Sequence, residues 1–348
     1  MLTVNYIDVL NRACDLCGLP RYGTLSSTDN ARLQTFISKR LEQAVRYHFW
    51  PDWMRLEERF YRANYASGTT YSAPTTTSAT VIYYPPSARY YQNLKSTTGN
   101  EPATLTSGAY VTSLTYWADA ATSYSGSDWA ASTAYTQGTI VRRPDDGYYY
   151  QCHTAHTSSS SFDSTKFGAL VPFDRYIAYS QTGQTVIGDV IEVWDKSPRI
   201  YKGAREVGYE LSNNGIQIRD DYNSVWLWYR LVIPRLSGSA YSATATYAVG
   251  DQVYFSSATV PGNFYDCVTA TSAGESPSSA SAKWSIVNIP RMFEDYLSWG
   301  AYADWLTGEG QNDKAMAEDR RAQQWLAREV GILTRQEQQQ QRARVLVR

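Results

Sequence analysis

Apolar residues recur every three to four positions at the two ends of this chain, and the longest such stretch is Pro290 to Leu333. There Phe293, Leu297, Ala301 and Asp304 fall on one line, and Met292, Tyr296, Trp299 and Ala303 on the next. That is a broad apolar band with a period near 3.6, the signature of a helix. Pro290 suits the first helical position, where a missing N–H costs nothing. Thr307-Gly308-Glu309-Gly310 interrupts the band, because glycine ends helices cheaply with φ > 0. A second helix is expected from about Asn312 to Val330. It buries Ala315, Ala322, Trp325, Leu326 and Val330 and turns Asp313, Lys314, Glu318, Asp319, Arg320, Arg321 and Arg328 outward. At the other end, Ile7, Leu10, Cys14 and Cys17 predict a helix from about Thr3 to Cys17, with Gly18 as its stop. N-cap candidates at Ser26 to Asp29 open another, with Leu33, Phe36, Ile37, Leu41, Ala44, Val45, His48 and Phe49 at helical spacing and Pro51 at its end. Helices this apolar need partners, so the two ends are expected to pack together and to carry β structure between them.

The middle of the chain has a different rhythm. Trp53 to Tyr61 alternates apolar and polar residues, as a strand does. From Tyr65 onward, short aromatic runs are divided by Ser, Thr, Gly and Pro, and the runs repeat. Trp129 and Tyr135 are followed by Gly138 and Val141, then Tyr150-Gln151-Cys152 and a closing Lys166-Phe167. Tyr241 and Tyr247 are followed at the same intervals by Gly250 and Val253, then Tyr265-Asp266-Cys267 and Lys283-Trp284. A weaker copy starts at Tyr65 and Tyr71, has Pro74 in place of the glycine, and runs through Tyr91-Gln92-Asn93 to Tyr116-Trp117. These are three small all-β units, 65–118, 128–170 and 240–287. Between the last two, 171–236 holds longer apolar strands (186–194, 216–218 and 225–232) and a tight-turn signal at Asn213-Asn214-Gly215. The expected fold is α+β: a helical bundle from 1–62 and 288–333 joined by the β segment 171–236, with the three units inserted. The Gln- and Arg-rich end, 334–348, has no packable face and is expected to be extended or disordered until something holds it.

Composition narrows the function. The 348 residues carry a net charge of −1, which argues against a general grip on nucleic acid or on an anionic membrane. No signal peptide and no transmembrane span is expected. Tyrosine (29) and tryptophan (11) stand among Ser, Thr and Ala, and only 19% of residues are charged, a balance that suits a virion or extracellular surface better than a cytosolic enzyme. Four scattered cysteines do not form a disulfide framework. Cys14-x2-Cys17 has no second pair at a matching spacing, so buried helical thiols are expected rather than zinc. In Cys152-His153-Thr154-Ala155-His156, an extended strand would point the two histidines to opposite faces, so no metal is expected there either. GxSxG, a Gly-rich phosphate loop and HExxH are absent, and Asp145-Asp146 and Asp220-Asp221 sit in turn-like settings. The chain is therefore read as no enzyme, with no cofactor.

Two constellations remain. The rings of Trp129, Tyr135, Tyr150, Phe167, Tyr247, Tyr265 and Trp284 are either the cores of the small units or platforms for sugar stacking. Arg335, Arg342, Arg344 and Arg348 are either a solvated run or a dock for an acidic partner.

Three stretches together resemble the head-to-tail adaptor proteins of tailed bacteriophages. They are the helix pair ending in His48-Phe49-Trp50-Pro51-Asp52-Trp53, the segment from Gly215-Ile216-Gln217-Ile218 to Trp228-Tyr229-Arg230, and the helix Ala301-Tyr302-Ala303-Asp304-Trp305-Leu306 with its Gly308/Gly310 break. The resemblance covers 1–62, 172–236 and 288–335. It implies a virion protein at the head-tail junction, a homo-oligomeric ring that is commonly dodecameric. The ring sits below the portal, docks tail (nozzle or fibre) proteins and lines the channel through which genomic DNA passes without sequence-specific binding. No membrane is involved. It also implies that the C-terminal segment reaches into the portal, through Arg335, Gln338, Gln341, Arg342, Arg344, Val345, Leu346 and Arg348. The small units resemble the chitin-binding modules appended to chitinases and phage tail proteins, with Phe167 for the usual closing Trp, Pro74 and Asn93 at key places, and Tyr241 for the opening Trp. That second resemblance implies a different reading, a carbohydrate-binding protein with tandem modules.

Overall fold

The computed structural model describes residues 2–181 and 184–346, of which 337–346 are described by their backbone alone. The chain is α+β and divides into two compact units. One joins Met1–Met54 to Ile233–Arg348, and the other is Arg55–Val232.

The first unit is built on four helices: α1 (Tyr6–Cys17), α2 (Ser27–Tyr47), α3 (Glu294–Gly308) and α4 (Asn312–Leu346). One core draws on both chain ends. Val9, Leu10 and Ala13 of α1, Leu33, Ile37 and Leu41 of α2, Leu297 and Ala301 of α3 and Ala322 and Leu326 of α4 are all buried in it. Each fully buried aliphatic side chain contributes about 1.5–3 kcal/mol relative to exposure. The helix signals act locally as the sequence suggests. Gly18 closes α1 at φ +69°, with Leu19 N–H donating to the Cys14 carbonyl at 2.9 Å. Ser26 caps α2 by accepting from Asp29 N–H at 3.1 Å. Gly310, at φ +77°, lets Gln311 N–H return to the Leu306 carbonyl at 2.9 Å.

Three local expectations change. The first helix starts at Tyr6 rather than Thr3, because Thr3–Val4 pairs antiparallel with Ile289–Pro290. Pro290 therefore lies in a two-residue strand and not at the head of a helix; a short 3-10 turn, Arg291–Phe293, intervenes before α3. A proline is tolerated at the end of such a short ladder because no further N–H is needed there. Third, 334–346 is not extended: α4 runs unbroken to Leu346. Its Gln, Arg, Glu and Ala residues are good helix formers, and no proline or capping glycine stops a helix that already has several turns packed.

α3 is apolar on all sides because α1, α2 and α4 all pack on it. Its one carboxylate on an apolar line, Asp304, is answered from α2. Arg40 is nearly buried (9% exposed side chain) and donates through Nε and Nη2 to both Asp304 oxygens, at 2.9 and 2.8 Å. Its Nη1 donates to Asp319 of α4 at 2.5 Å. Burial pulls the Arg40 pKa down, but the hydrogen bonds and charge of Asp304, helped by Asp319 and Tyr296, hold it above its ordinary value. The stem of Arg40 needs Gly300 opposite, where a Cβ would come 2.9 Å from Arg40 Cδ.

The second unit contains a three-stranded sheet ordered Ile187–Trp194, Ser224–Leu231, Met54–Phe60, and another ordered Tyr176–Ala178, Gly215–Ile218, Tyr209–Ser212. Ser212 pairs with Gly215, so Asn213-Asn214 makes the turn and Gly215 already belongs to the strand. Ile177, Ile187, Val193, Ile216, Val225, Leu227 and Tyr229 form the core with Tyr61, Tyr83 and Tyr90. The β segment 171–232 thus groups with 55–170, and not with the helices as the sequence division has it. The reason is that Tyr83 and Tyr90 of the first small unit fill its core. Buried Arg59 is held by the Tyr229 hydroxyl at 2.6 Å, the Thr185 carbonyl at 2.7 Å and Glu57 at 3.0 Å.

Replacing Arg40 by Met strands two carboxylates, and the expected loss is about 3 kcal/mol, the low end for a broken buried pair because Asp319 is 41% exposed. A urea titration followed by tryptophan fluorescence measures it, and an unchanged midpoint refutes the clamp. Gly300→Ala is expected to lower the midpoint although alanine is the better helix former by about 1 kcal/mol.

Candidate functional site

The three small β units share one internal wiring. The N–H of the opening aromatic (Tyr65, Trp129 or Tyr241) donates to the carbonyl of Tyr83, Arg142 or Tyr254, each at 2.8 Å. Six residues later, Tyr71, Tyr135 or Tyr247 turns its hydroxyl back on the residue after that aromatic. The hydroxyl accepts from the N–H of Ala66, Ala130 or Ser242 at 2.9, 2.8 and 2.8 Å. It donates to the carbonyl of the same residue at 3.2, 3.2 and 3.4 Å. The closing aromatic meets this tyrosine edge-on: Trp117 at 5.2 Å, Phe167 at 5.6 Å and Trp284 at 5.4 Å between centroids. Such pairs add about 0.5–1.5 kcal/mol beyond their burial.

The cysteines belong to the same wiring. Cys152 and Cys267 donate through Sγ to the carbonyls of Thr154 and Thr269, both at 3.1 Å. Asn93 occupies their place in the first unit, with Nδ2 directed to the Lys95 carbonyl at 3.4 Å and Oδ1 accepting Thr80 N–H at 3.1 Å. Gly138 and Gly250, at φ +91° and +96°, donate to the Cys152 and Cys267 carbonyls at 2.7 and 2.8 Å. Pro74 is not their counterpart. The backbone bond from Cys152 N–H to Thr139, and from Cys267 N–H to Asp251, is matched by Asn93 to Thr80, so Ala79 is the residue in register. The first unit has a longer loop before its second strand.

One face of each unit does the docking, and it meets different surroundings each time. Register makes Tyr83, Tyr90 and Ala120 equivalent to Arg142, Tyr149 and Leu170, and to Tyr254, Phe264 and Val287. In the first unit this face packs on the β core. In the second it packs on Leu94 and Ala118 of the first unit, so closely that a Cβ on Gly168 would overlap the Leu94 backbone. In the third it packs on the helices, with Ile7 N–H donating to the Gly262 carbonyl at 3.0 Å. Pairwise spacing in the sequence reveals the repeat but carries no sign of these partners.

This wiring decides where the candidate sugar platforms lie. Tyr135, Tyr150, Phe167 and Trp284 are buried, at 6%, 7%, 4% and 6% exposure, so they are core rings without a free face. Trp129, Tyr247 and Tyr265 are half-buried. The Tyr150 hydroxyl donates to Asp146 at 2.7 Å, and its pKa is pushed up to about 12 by burial and then by that carboxylate. Asp145 and Asp146 both face Arg143, and Asp221 pairs with Arg175. Each of these three carboxylates has a cationic partner.

All four cysteines are free. Burial pushes the Cys14 thiol up to about 11 and the Cys17 thiol to about 12. His153 and His156 are each tied to Thr154, His153 Nδ1 to its hydroxyl at 3.0 Å and His156 Nδ1 to its carbonyl at 2.9 Å. Among the described residues no group of three or more His, Cys, Asp or Glu side chains could hold a metal ion.

The second candidate is the far end of α4. Ala315, Ala322 and Leu326 are buried, Val330 and Leu333 are half-buried, and Thr334, Arg335 and Gln336 are exposed. The helical backbone then runs on from the exposed Thr334 to Leu346, a length of about 20 Å at 1.5 Å per residue. Gln338, Gln341, Arg342, Arg344, Val345 and Leu346 lie in this stretch, described by its backbone. Arg335 Nε donates to the Gly331 carbonyl at 3.1 Å, while Arg348 lies outside the described residues. Beside the packed part, an open cleft of about 780 Å³ lies between α2, α3 and α4 above the Arg40 clamp, with Tyr47 and Met316 on its rim more than half exposed. Among the described residues no helix is long and apolar enough to cross a membrane.

Comparison with models of known protein families gives no match, and neither curated proteins nor solved structures give one.

Tyr135→Phe removes the hydroxyl that satisfies Ala130, and a loss of about 1–2 kcal/mol is expected in denaturant unfolding. The His153 pKa is lowered, first by burial and then by Lys95, so the unfolded chain takes up a proton that the folded unit refuses. Stability is then fully present above the ordinary histidine value of about 6.5 and falls as the pH drops below it. His153→Asn is expected to flatten that fall in melting temperatures taken from pH 7.5 down to pH 5.

Proposed function

We propose that this chain is a virion structural protein, a head-to-tail adaptor that assembles as a ring, joining the portal to the tail. The observation that carries the reading is the continuation of the α4 backbone past the exposed Thr334, Arg335 and Gln336 to Leu346. A helix whose backbone runs on for several turns past the exposed Thr334, Arg335 and Gln336 is suited to a neighbour, and in this reading Arg335, Gln338, Gln341, Arg342, Arg344, Val345 and Leu346 supply both polar and apolar contacts. In this reading the portal ring is the neighbour, and the free part of α4 docks in it as a preformed helix. Preorganisation lowers the entropy lost on docking, compared with an extended tail that must fold on contact.

The helical bundle of the two chain ends is the adaptor body in this proposal, and the three small β units are insertions that meet tail proteins. The cleft beside the Arg40 clamp, with Tyr47 and Met316 at its rim, offers a face for the next copy in a closed ring, commonly of twelve. A net charge of −1 suits a channel through which DNA slides. Burial of Tyr135, Tyr150, Phe167 and Trp284 supports a structural role for the small units over the carbohydrate-binding alternative.

Light scattering of the chain alone and mixed with a candidate portal ring tests the proposal. A portal-dependent species containing many copies is expected. Deleting 334–348 should leave a cooperatively folded protein that no longer joins the portal. A full-length chain that ignores the portal and is instead retained on a chitin column overturns the adaptor reading, and a truncated chain that joins with unchanged affinity overturns the role of α4.

A further inference from the structure

In the second unit, the loop that follows the strand Ile187–Trp194 reads Lys196-Ser197-Pro198-Arg199-Ile200-Tyr201-Lys202-Gly203-Ala204-Arg205. Its four cations recur every third residue, at 196, 199, 202 and 205, and all four are exposed. Among the described residues none of them has a carboxylate within ion-pairing distance, although most arginines of the chain that are placed in detail do. No acidic residue lies between 196 and 205; Asp195 and Glu206 flank the loop at its base.

The loop has a defined shape. Asp195 N–H donates to the Arg205 carbonyl at 3.0 Å, and Asp195 Oδ1 accepts Arg205 N–H at 2.8 Å, which closes the base. Ser197 is buried, and its carbonyl accepts from Ile200 at 3.1 Å and Tyr201 at 2.9 Å. A second turn follows, from Ala204 N–H to the Tyr201 carbonyl at 3.2 Å. Turns closed over three residues bring side chains three apart toward the same side, as in a 3-10 helix. Arg199 lies in the first turn, Lys202 in the second, and Lys196 and Arg205 at the closed base, so one short ordered loop carries all four charges.

Four like charges held in one short loop repel one another unless a counter-charge lies against them. We propose that this loop is a contact for the phosphate backbone of duplex DNA. Several exposed, unpaired cations in one loop fit the closely spaced phosphates of a duplex, and the ordered loop loses little entropy in presenting them. The contact is local and independent of base sequence, since phosphates carry no sequence information and the net charge of −1 gives the chain as a whole no general grip on nucleic acid. Ile200 and Tyr201, 70% and 54% exposed, are the features that a lipid surface would use instead, and they separate the two partners experimentally. The proposal stands apart from ring assembly: it concerns the chain alone, and its failure leaves the portal experiment untouched.

The test is fluorescence anisotropy of the full chain with two unrelated labelled duplexes of about 24 base pairs, in about 50 to 200 mM salt. Equal binding to both is expected, with a log–log salt slope of about −3 to −4 and a weakening of about 100-fold across that range, as four phosphate contacts require. Replacing any one of Lys196, Arg199, Lys202 and Arg205 by Gln should reduce the slope by about 0.9, and replacing all four should weaken binding at least tenfold at about 50 mM salt. These side chains are exposed, so the variants should keep the parent melting temperature; the single variants carry the test if the fourfold one does not. Ile200→Ser with Tyr201→Ser should bind DNA as the parent does. Absence of DNA binding at low salt, an unchanged slope in the variants, or tighter binding to phosphatidylserine vesicles that is lost in the Ile200→Ser, Tyr201→Ser variant would each overturn the proposal.

Discussion

Much of the helical unit depends on one buried cation. Arg40 reaches from α2 across to Asp304 of α3 and Asp319 of α4, and so ties three helices from opposite ends of the chain at one point. Apolar packing alone is tolerant of sliding, whereas a guanidinium with two carboxylates accepts one arrangement. Such a pair adds little net stability over apolar groups of the same shape, but breaking one side of it is costly. Its main effect is therefore on which arrangement forms. Gly300 shows that the constraint reaches the backbone, since the arginine stem lies where a side chain on α3 would be.

The small β units solve a different problem. Each is too small to bury a large core, and each closes itself with a tyrosine hydroxyl that satisfies both backbone groups of one residue. With their interiors settled by this hydrogen-bonded ring cluster, one outer face of each is free to vary. Tyr83 and Tyr90 suit a β core, Tyr149 and Leu170 suit a neighbouring unit, and Tyr254, Phe264 and Val287 suit helices. The repeat is thus one scaffold with three docking faces. This accounts for the many aromatic residues of the chain without a sugar to stack on them.

Chemistry at the surface is correspondingly spare. The described residues show thiols raised by burial, carboxylates paired with arginines in turns and histidines tied to one threonine. What stands out is shape and charge: a helix whose backbone runs on past the exposed Thr334 to Gln336, and an ordered loop with four unpaired cations. Both are features that the two proposals use as contacts.

The sequence by itself determined the local events. Gly18 and Ser26 bound their helices because cap chemistry is a matter of adjacent residues. The six-residue spacing of Trp129 and Tyr135, and of Tyr241 and Tyr247, exposed the repeat because the hydroxyl bridge spans that interval. Asp304 on an apolar line was visible as an anomaly, but its partner lies 264 residues away and nothing local points to Arg40. The same limit applies to Pro290, whose place in a strand depends on Thr3 at the other end of the chain. Residues 334–346 lack an apolar face, which pointed to an extended tail, yet their helix propensity is high and α4 was already nucleated. Tertiary structure alone decided that Tyr83 and Tyr90 draw the β segment toward the small units, and that most of the candidate sugar rings face inward. Burial is set by what packs on a residue from elsewhere in the chain, and a periodic pattern carries no record of that.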